Sequence, residues 1–307
     1  MPTAPPVHLP TVKQLRYFVA LAEHKHFGRA AAQCNVSQSA FSVAIRELET
    51  LLDANLVDRT NRKVTITATG KEVAALAKRC LQDLRALADV ARSENRPLHG
   101  PLQLGIIPTI APFLLPQVLP AVREAFPELK LFLHEDQTQR LYEQLMEGTL
   151  DLVLLALPYE LPGVEQMVLF RDRFRLAVRE GTALVDPAHY RFDRLEPGTV
   201  LLLREGHCMR EHAIDACRMR DPEKMSAFSA SSLLTLIEMV DADLGITFLP
   251  EMAEGSAMLQ NTQVKTYPLS DNNYRSIGLI WRRGSARQDE FRMLGEFIAE
   301  HRKDGSR

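Results

Sequence analysis

Residues 204–217, REGHCMREHAIDAC, crowd together four side chains that can bind a metal or react with an oxidant: His207, Cys208, His212 and Cys217. Thiolates and imidazoles make a zinc site when four of them converge tetrahedrally. Two thiols without a metal make either a redox pair or two buried structural cysteines, since a free cysteine also packs as a small hydrophobe. Spacing argues against zinc. If the segment after Gly206 is helical, Cys208 and His212 share a face. Cys217 is nine residues from Cys208, about 900° of rotation, and points the opposite way. The four cannot reach one ion unless the helix unwinds, so neither a metal nor another cofactor is expected. The same helix would hold the two cysteine backbones roughly 13–14 Å apart, whereas a disulfide requires Cα atoms about 4.4–6.8 Å apart. This segment can be a helix or a disulfide loop, and not both.

A second chemistry-bearing cluster stands near the N-terminus. Gln38, Ser39 and Ser42 carry hydrogen-bonding groups sized for base edges in a DNA major groove. Arg46, Arg59, Arg62 and Lys63 are suited to phosphate contacts that position a domain without reading sequence. The elements predicted around them fit. Leu15, Phe18, Val19 and Ala22 recur at helical spacing, a short helix covers Gly28 to Cys34, and Asn35-Val36 makes a turn. Ser37 caps a third helix whose Phe41, Ile45, Leu48 and Leu52 form one stripe. Short helix, tight turn and a helix with a polar leading end is the layout of a helix-turn-helix. Residues 59–63 followed by alternating Val64-Thr65-Ile66-Thr67 predict a basic wing on a hairpin.

Charge follows the same division. Residues 1–97 hold 14 Lys and Arg against 9 Asp and Glu, a net +5, while the remainder holds 23 against 30, a net −7. A cationic N-terminal third on an anionic body predicts that only the first part meets a polyanion. Between Thr67 and Asn95 there is no proline, and Val73, Ala77, Cys80, Leu84, Leu87 and Ala91 form a heptad seam that predicts pairing with a second chain.

Beyond Pro97-Leu98-His99-Gly100-Pro101 the pattern becomes βαβαβ. Strands are expected at Leu102–Ile107, Leu129–Leu133 and Leu150–Leu157, with helices at Phe113–Phe126 and Gln137–Met146. A second set has strands near Phe174–Val178, Val200–Leu203, Ala227 and Ile246–Leu249, a helix after Gly206 and another over Ser232–Val240. Strand Ser276–Trp281 and helix Gln288–His301 are expected to rejoin the first sheet. The chain is therefore read as α/β with an N-terminal winged helix-turn-helix (1–66), a dimerising linker helix (67–97) and two lobes. Residues 98–172 with 275–307 form lobe I, and 173–274 form lobe II.

With 307 residues, 46% hydrophobic and 25% charged, this is the balance of a globular protein of two or three domains. The uncharged stretch Pro97 to Val122 carries six prolines and cannot be one helix in lipid. The first ten residues lack the charge and apolar run of a secretory leader. Four cysteines are too few for a disulfide scaffold in a chain of this length. A cytoplasmic protein with no membrane contact is expected.

FGRAAAQCNVSQSAFSVAIRELE and LVDRTNRKVTITATG resemble the winged helix-turn-helix of LysR-type transcriptional regulators, and the likeness extends over almost the whole chain. One departure is Ser39, where that family usually has proline after Ser-Gln. GIIPTIAPFLLP, LHEDQTQRL and the paired-cysteine segment are similar to the peroxide-sensing branch of the family. That resemblance implies a regulatory domain like a periplasmic binding protein. It also implies an oxidisable Cys208 that forms a disulfide with Cys217, and Thr109, Thr138 and His207 around a bound hydrogen peroxide. Cys208 is the expected attacking thiol, with Arg204 and Arg210 and a helix N-terminus favouring its anion. Arg282, on the returning strand, is expected to add positive charge. The implied partners are double-stranded DNA, a homodimer partner with assembly to a tetramer, RNA polymerase, and glutaredoxin or thioredoxin as reductant. The resemblance implies a regulator and not an enzyme. The alternatives are a LysR-type regulator whose inter-lobe cleft takes a small effector, and a thiol peroxidase, which would leave the basic third unexplained.

Overall fold

The computed structural model describes residues 9–60, 63–92, 97–159, 161–269 and 272–302. It divides into two compact units: Met1–Asn95 with Glu147–Thr149, and Arg96–Met146 with Leu150–Arg307.

In the first unit, helix α1 (Val12–His24) starts at Thr11, whose side chain accepts from Gln14 N–H while Gln14 reaches back to the Thr11 backbone, a capping box. Helices α2 (Phe27–Gln33) and α3 (Gln38–Leu51) flank a turn in which Asn35 has φ of 56°, a left-handed conformation that Asn tolerates. Ser37 caps α3 by accepting from Ala40 N–H at 3.3 Å. Phe41, Ile45 and Leu48 are fully buried, and Tyr17 stacks on Phe41 with ring centroids 5.1 Å apart. Strands β1 (Val57–Thr60) and β2 (Lys63–Ile66) pair antiparallel as the expected hairpin.

Helix α4 (Ala68–Arg92) packs close to the preceding strand. A side chain at Gly70 would bring its Cβ within 2.2 Å of the Leu56 carbonyl oxygen, so only glycine fits. The heptad seam does not present a single face. Ala74 and Ala77 are buried and Val73 packs on the unit's own core, because the first half of α4 lies against α1, with Lys78 bonded to Glu23 at 3.3 Å. Only from Cys80 onward do Leu84 and Leu87 stand exposed, which shortens the apolar stripe open to a second chain.

The second unit begins with β3 (Gly100–Ile106), α5 (Ala111–Ala125), β4 (Leu129–Glu135), α6 (Thr138–Glu147) and β5 (Leu152–Leu157). Both β4 and β5 pair parallel with β3, the crossover arrangement read from the sequence. Strand β6 (Val164–Arg179) runs sixteen residues, although the sequence predicts only its second half. Its first ten residues end in the charged run Arg171, Asp172 and Arg173, which hides the strand pattern. β7 (Val200–Leu203), α7 (Cys208–Ala216), β8 (Met225–Ala230), α8 (Leu233–Asp241), β9 (Thr247–Pro250), α9 (Ala257–Gln260), β10 (Val264–Pro268), β11 (Tyr274–Arg282) and α10 (Gln288–His301) follow. β11 pairs antiparallel with β5 and with the first half of β6, so the last strand does rejoin the first sheet. The second half of β6 pairs with β9 and with β10, a strand that the sequence reading misses.

The second unit holds two hydrophobic cores. One is built on β3, β5, β11 and α10, and the other on β7, β9, α8 and the end of β6.

Candidate functional site

Helix α7 joins the two cores. Its first residue, Cys208, is buried in the first, while Met209 and Ala213, one turn apart, belong to the second. The local chain makes this possible. Gly206 has φ of +92°, and a Cβ there would meet the Gln137 amide oxygen at 3.0 Å. His207 then serves as N-cap residue without a side-chain cap bond and is itself buried, its Nε2 3.4 Å from Gln137 Nε2.

Around the Cys208 sulfur stand groups from three other segments. Thr138, at the start of α6, has a buried hydroxyl with no partner aligned for a hydrogen bond, yet close enough to act on the sulfur. The Ala156 backbone N–H of β5 donates toward the thiol, and Arg275 of β11 adds a positive charge. Burial pushes the Cys208 thiol up. Thr138, Arg275 and Ala156 pull it back and Glu211 opposes them, but burial prevails. The expected anion-stabilising role of Arg204 and Arg210 is therefore corrected. Arg210 donates to the Leu203 carbonyl at 3.2 Å, and the cation acting on the sulfur is Arg275.

Arg275 is fully buried and fully engaged. Nε donates to Asp172 Oδ2, Nη1 to Thr109 Oγ1 and Nη2 to the Thr109 carbonyl, each at 2.9 Å. Asp172 in turn accepts the Met252 N–H at 3.2 Å. Burial raises the Asp172 carboxyl while Arg275 opposes it. Thr109 thus reaches the site through the arginine.

Arg282, the cation expected from sequence, is corrected as well. It lies seven residues further along β11, about 23 Å at strand rise, and its Nη1 donates to the carbonyls of Leu145 and Leu150. Sequence reasoning missed Arg275 and Asp172. The available signal was a lone arginine and a lone aspartate inside otherwise apolar or pairing strands, which burial makes costly unless they meet.

Cys217 is the C-cap residue of α7, half-buried against the second core. Burial pushes its thiol up to about 12, against the pull of the Asn273 side chain. All four cysteines are free thiols. His212 lies one turn from Cys208, and its Nε2 donates to the Pro158 carbonyl at 3.3 Å. Among the described residues no three His, Cys, Asp or Glu side chains gather as a metal cluster. A cavity of about 570 Å³ opens beside the sulfur, lined by Cys208, His212, Tyr159 and Arg275 among others.

On the first unit, Gln38, Ser39 and Arg46 are exposed along one side of α3 and Ser42 is half-buried. Ser39 Oγ is 3.1 Å from the capping Ser37 Oγ, and Arg46 Nε reaches the Ser42 carbonyl at 3.5 Å. Arg59 and Lys63 lie on β1 and β2, and Arg62 lies outside the described residues. Among those residues no helix is long and apolar enough to cross a membrane.

Residues 12–71 match the bacterial regulatory helix-turn-helix protein, lysR family, and residues 95–303 match the LysR substrate binding domain. The chain is 39% identical over 291 residues to the HTH-type transcriptional regulator EstR of Acinetobacter baylyi, covering 94% of this chain and 96% of that one. It is 37% identical over 295 residues to the hydrogen peroxide-inducible genes activator of Haemophilus influenzae, covering 95% and 97%. A solved structure of full-length OxyR from Pseudomonas aeruginosa superposes with a TM-score of 0.78 at 30% identity, covering 95% of each chain.

Proposed function

The chain belongs to the LysR family of bacterial transcriptional regulators, and we propose that it is a member that senses hydrogen peroxide through Cys208 and Cys217. The observation that carries this reading is the pairing of a buried thiol with a buried, unpartnered Thr138 hydroxyl and a buried cation. An apolar pocket would leave that hydroxyl unsatisfied at some cost; a small polar oxidant can both accept from it and donate to it.

In the proposed reaction the Cys208 sulfur attacks one peroxide oxygen, the O–O bond breaks, and the thiol proton leaves with the other oxygen as water. Sulfur is oxidised to sulfenic acid. The Cys217 thiol then displaces hydroxide from that sulfur, releasing a second water and forming the disulfide. Because α7 separates the two Cα atoms by roughly 13–14 Å, the bond forms only if α7 is lost. Loss of α7 removes an element that belongs to both cores, and the regulatory unit must repack.

The same reading assigns Gln38, Ser39 and Ser42 to base edges in DNA and Arg46, Arg59, Arg62 and Lys63 to phosphates. The exposed end of α4 would pair two chains, and two such pairs would make a tetramer that contacts RNA polymerase. Thr109 and His207 would complete the peroxide pocket, and glutaredoxin or thioredoxin would reset the disulfide in the cytosol. The protein is a regulator and not an enzyme; Cys208 reacts once per switching event.

Non-reducing peptide mapping before and after one equivalent of peroxide tests the assignment. Cys208→Ser should abolish the response, and Cys34→Ser or Cys80→Ser should leave it intact. Peptides joined through Cys34 or Cys80 would overturn it. The cavity beside Cys208 and the match of residues 95–303 to the LysR substrate binding domain support a second reading, in which a small effector acts there. A full response in Cys208→Ser would favour that one.

A further inference from the structure

His212 is singled out in the sequence by its place among the cysteines, and the proposed chemistry leaves it without a part. It sits four residues after Cys208 on the same face of α7, where side chains lean back over the preceding turn. Its Nε2 donates to the carbonyl of Pro158, just after β5, which fixes the neutral tautomer. The other nitrogen, Nδ1, is then an acceptor, and it is buried with no partner. Cys208 and His212 therefore tie α7 to the first lobe, whereas Met209 and Ala213 pack on the second.

We propose that His212 is the positioning residue that keeps Cys208 seated in the first lobe, and that its protonation releases α7. A proton on Nδ1 would be a buried charge with no acceptor, so the seated helix disfavours it; the unwound segment, open to water, does not. The groups around the ring agree. Lining the same cavity as the ring are Glu211 and Asp215 of α7, Tyr159 of the loop after β5, and Tyr274 and Arg275 of β11, and of these Arg275 and Asp215 act on it directly. Burial and Arg275 hold the His212 ring below its ordinary 6.5, and the Pro158 carbonyl and Asp215 offset them in part. A second histidine, His207, stands beside Gln137 at the start of the same helix.

The sign follows. The released segment binds the proton more readily than the seated one. The seated state is therefore fully favoured above the released pKa, near 6.5, and loses ground as pH falls from there toward the lower seated value. One proton can change the balance by at most tenfold per pH unit across that window.

The inference rests on α7 carrying the reactive thiol, but its test needs no peroxide. Reduced full-length protein is treated with 4,4′-dithiodipyridine between pH 4.5 and 8, and labelling at Cys208 is mapped by peptide. Each rate is divided by that of a free peptide of residues 204–217. In the wild-type chain protection should be flat above pH 6.5 and fall below it. In His212→Gln, which keeps an N–H donor for Pro158 but cannot be protonated, protection should stay level; His207 is present in both. Level protection in the wild type, or an equal fall in both, overturns the proposal. If His212→Gln leaves Cys208 open at every pH, the seating role stands and the wild-type profile decides the protonation. Peroxide maps joining other cysteines would sink the sensing reading alone.

Discussion

The helix-turn-helix and the thiol site draw on the same small vocabulary in opposite surroundings. On α3 a glutamine, two serines and an arginine line one side, three of the four exposed; around Cys208 stand Gln137, Thr138, Thr109 and Arg275, with both threonines and the arginine buried. Water separates the two sets. An exposed arginine interacts at high dielectric, is screened by salt, and gains little until a phosphate arrives. Arg275 has no water to fall back on, so its charge must be matched by Asp172 and its donors by Thr109, and what remains of its field acts on the Cys208 sulfur and the His212 ring. On the proposed reading the exposed set awaits a partner, the buried set is matched in advance apart from Thr138, and that mismatch is where a ligand would belong.

If that contrast holds, the largest effect should come from the buried cation. Arg275→Gln strands Asp172 and should cost about 3–5 kcal/mol of stability. It also removes a pull on Cys208, so the thiol, already pushed up by burial, should move higher and the pH profile of sulfenate formation should shift alkaline. Chemical denaturation and stopped-flow oxidation read the two effects separately. A profile unmoved by the change would mean that Arg275 is structural only.

The two threonines should come apart. The Thr138 hydroxyl has no well-aligned hydrogen bond, only its pull on the Cys208 sulfur, so Thr138→Val should change stability little while slowing oxidation. A lost charge-assisted hydrogen bond of about 1.5–3 kcal/mol corresponds to roughly one to two powers of ten in rate. Thr109→Val orphans a donor of Arg275 and should lower both stability and rate. Matching behaviour in the two variants would erase the distinction between a group held ready and a group already spent.

The same contrast explains what could be read in the sequence. The helix-turn-helix is legible because its signals are local: Ser37 before a stripe at 41, 45 and 48, Asn35 where a left-handed turn is needed, and polar residues on the side left over. The βαβαβ half of the regulatory unit is legible for the same reason. Cys208 and Cys217 stand out because they are few and close together, but Arg275 and Asp172 meet across 103 residues. No window of sequence contains that pair, and Arg282, in the same strand, looks equally suitable until β11 is paired and the two ends of the strand prove to serve different places. Arg204 and Arg210 mislead similarly. They are neighbours of Cys208 in the chain, but near a buried sulfur, proximity in sequence counts for less than which strand passes beneath it. The heptad seam of α4 shows the converse error, since periodicity gives a stripe but not its partner, and α1 covers the first half of it.

The smallest expected effect belongs to the exposed arginine, and it sharpens the comparison because its form differs from the others. Among the described residues the Arg46 guanidinium has one hydrogen bond, Nε reaching the Ser42 carbonyl at 3.5 Å, the outer limit for such a bond. Arg46→Ala should therefore leave the melting temperature and the oxidation rate of the protein as they are. If Arg46 contacts a phosphate, it positions the domain without reading bases, so its loss should weaken binding about equally on specific and unrelated duplexes. Each phosphate contact contributes close to one unit to the slope of log affinity against log salt, so that slope should become shallower by about one. A titration of both duplexes at several salt concentrations measures it. Weakening on the specific duplex alone would move Arg46 from the phosphates to the base edges, beside Gln38 and Ser42. A change in stability would mean that this exposed arginine, like Arg275, is already committed to the fold before any partner binds.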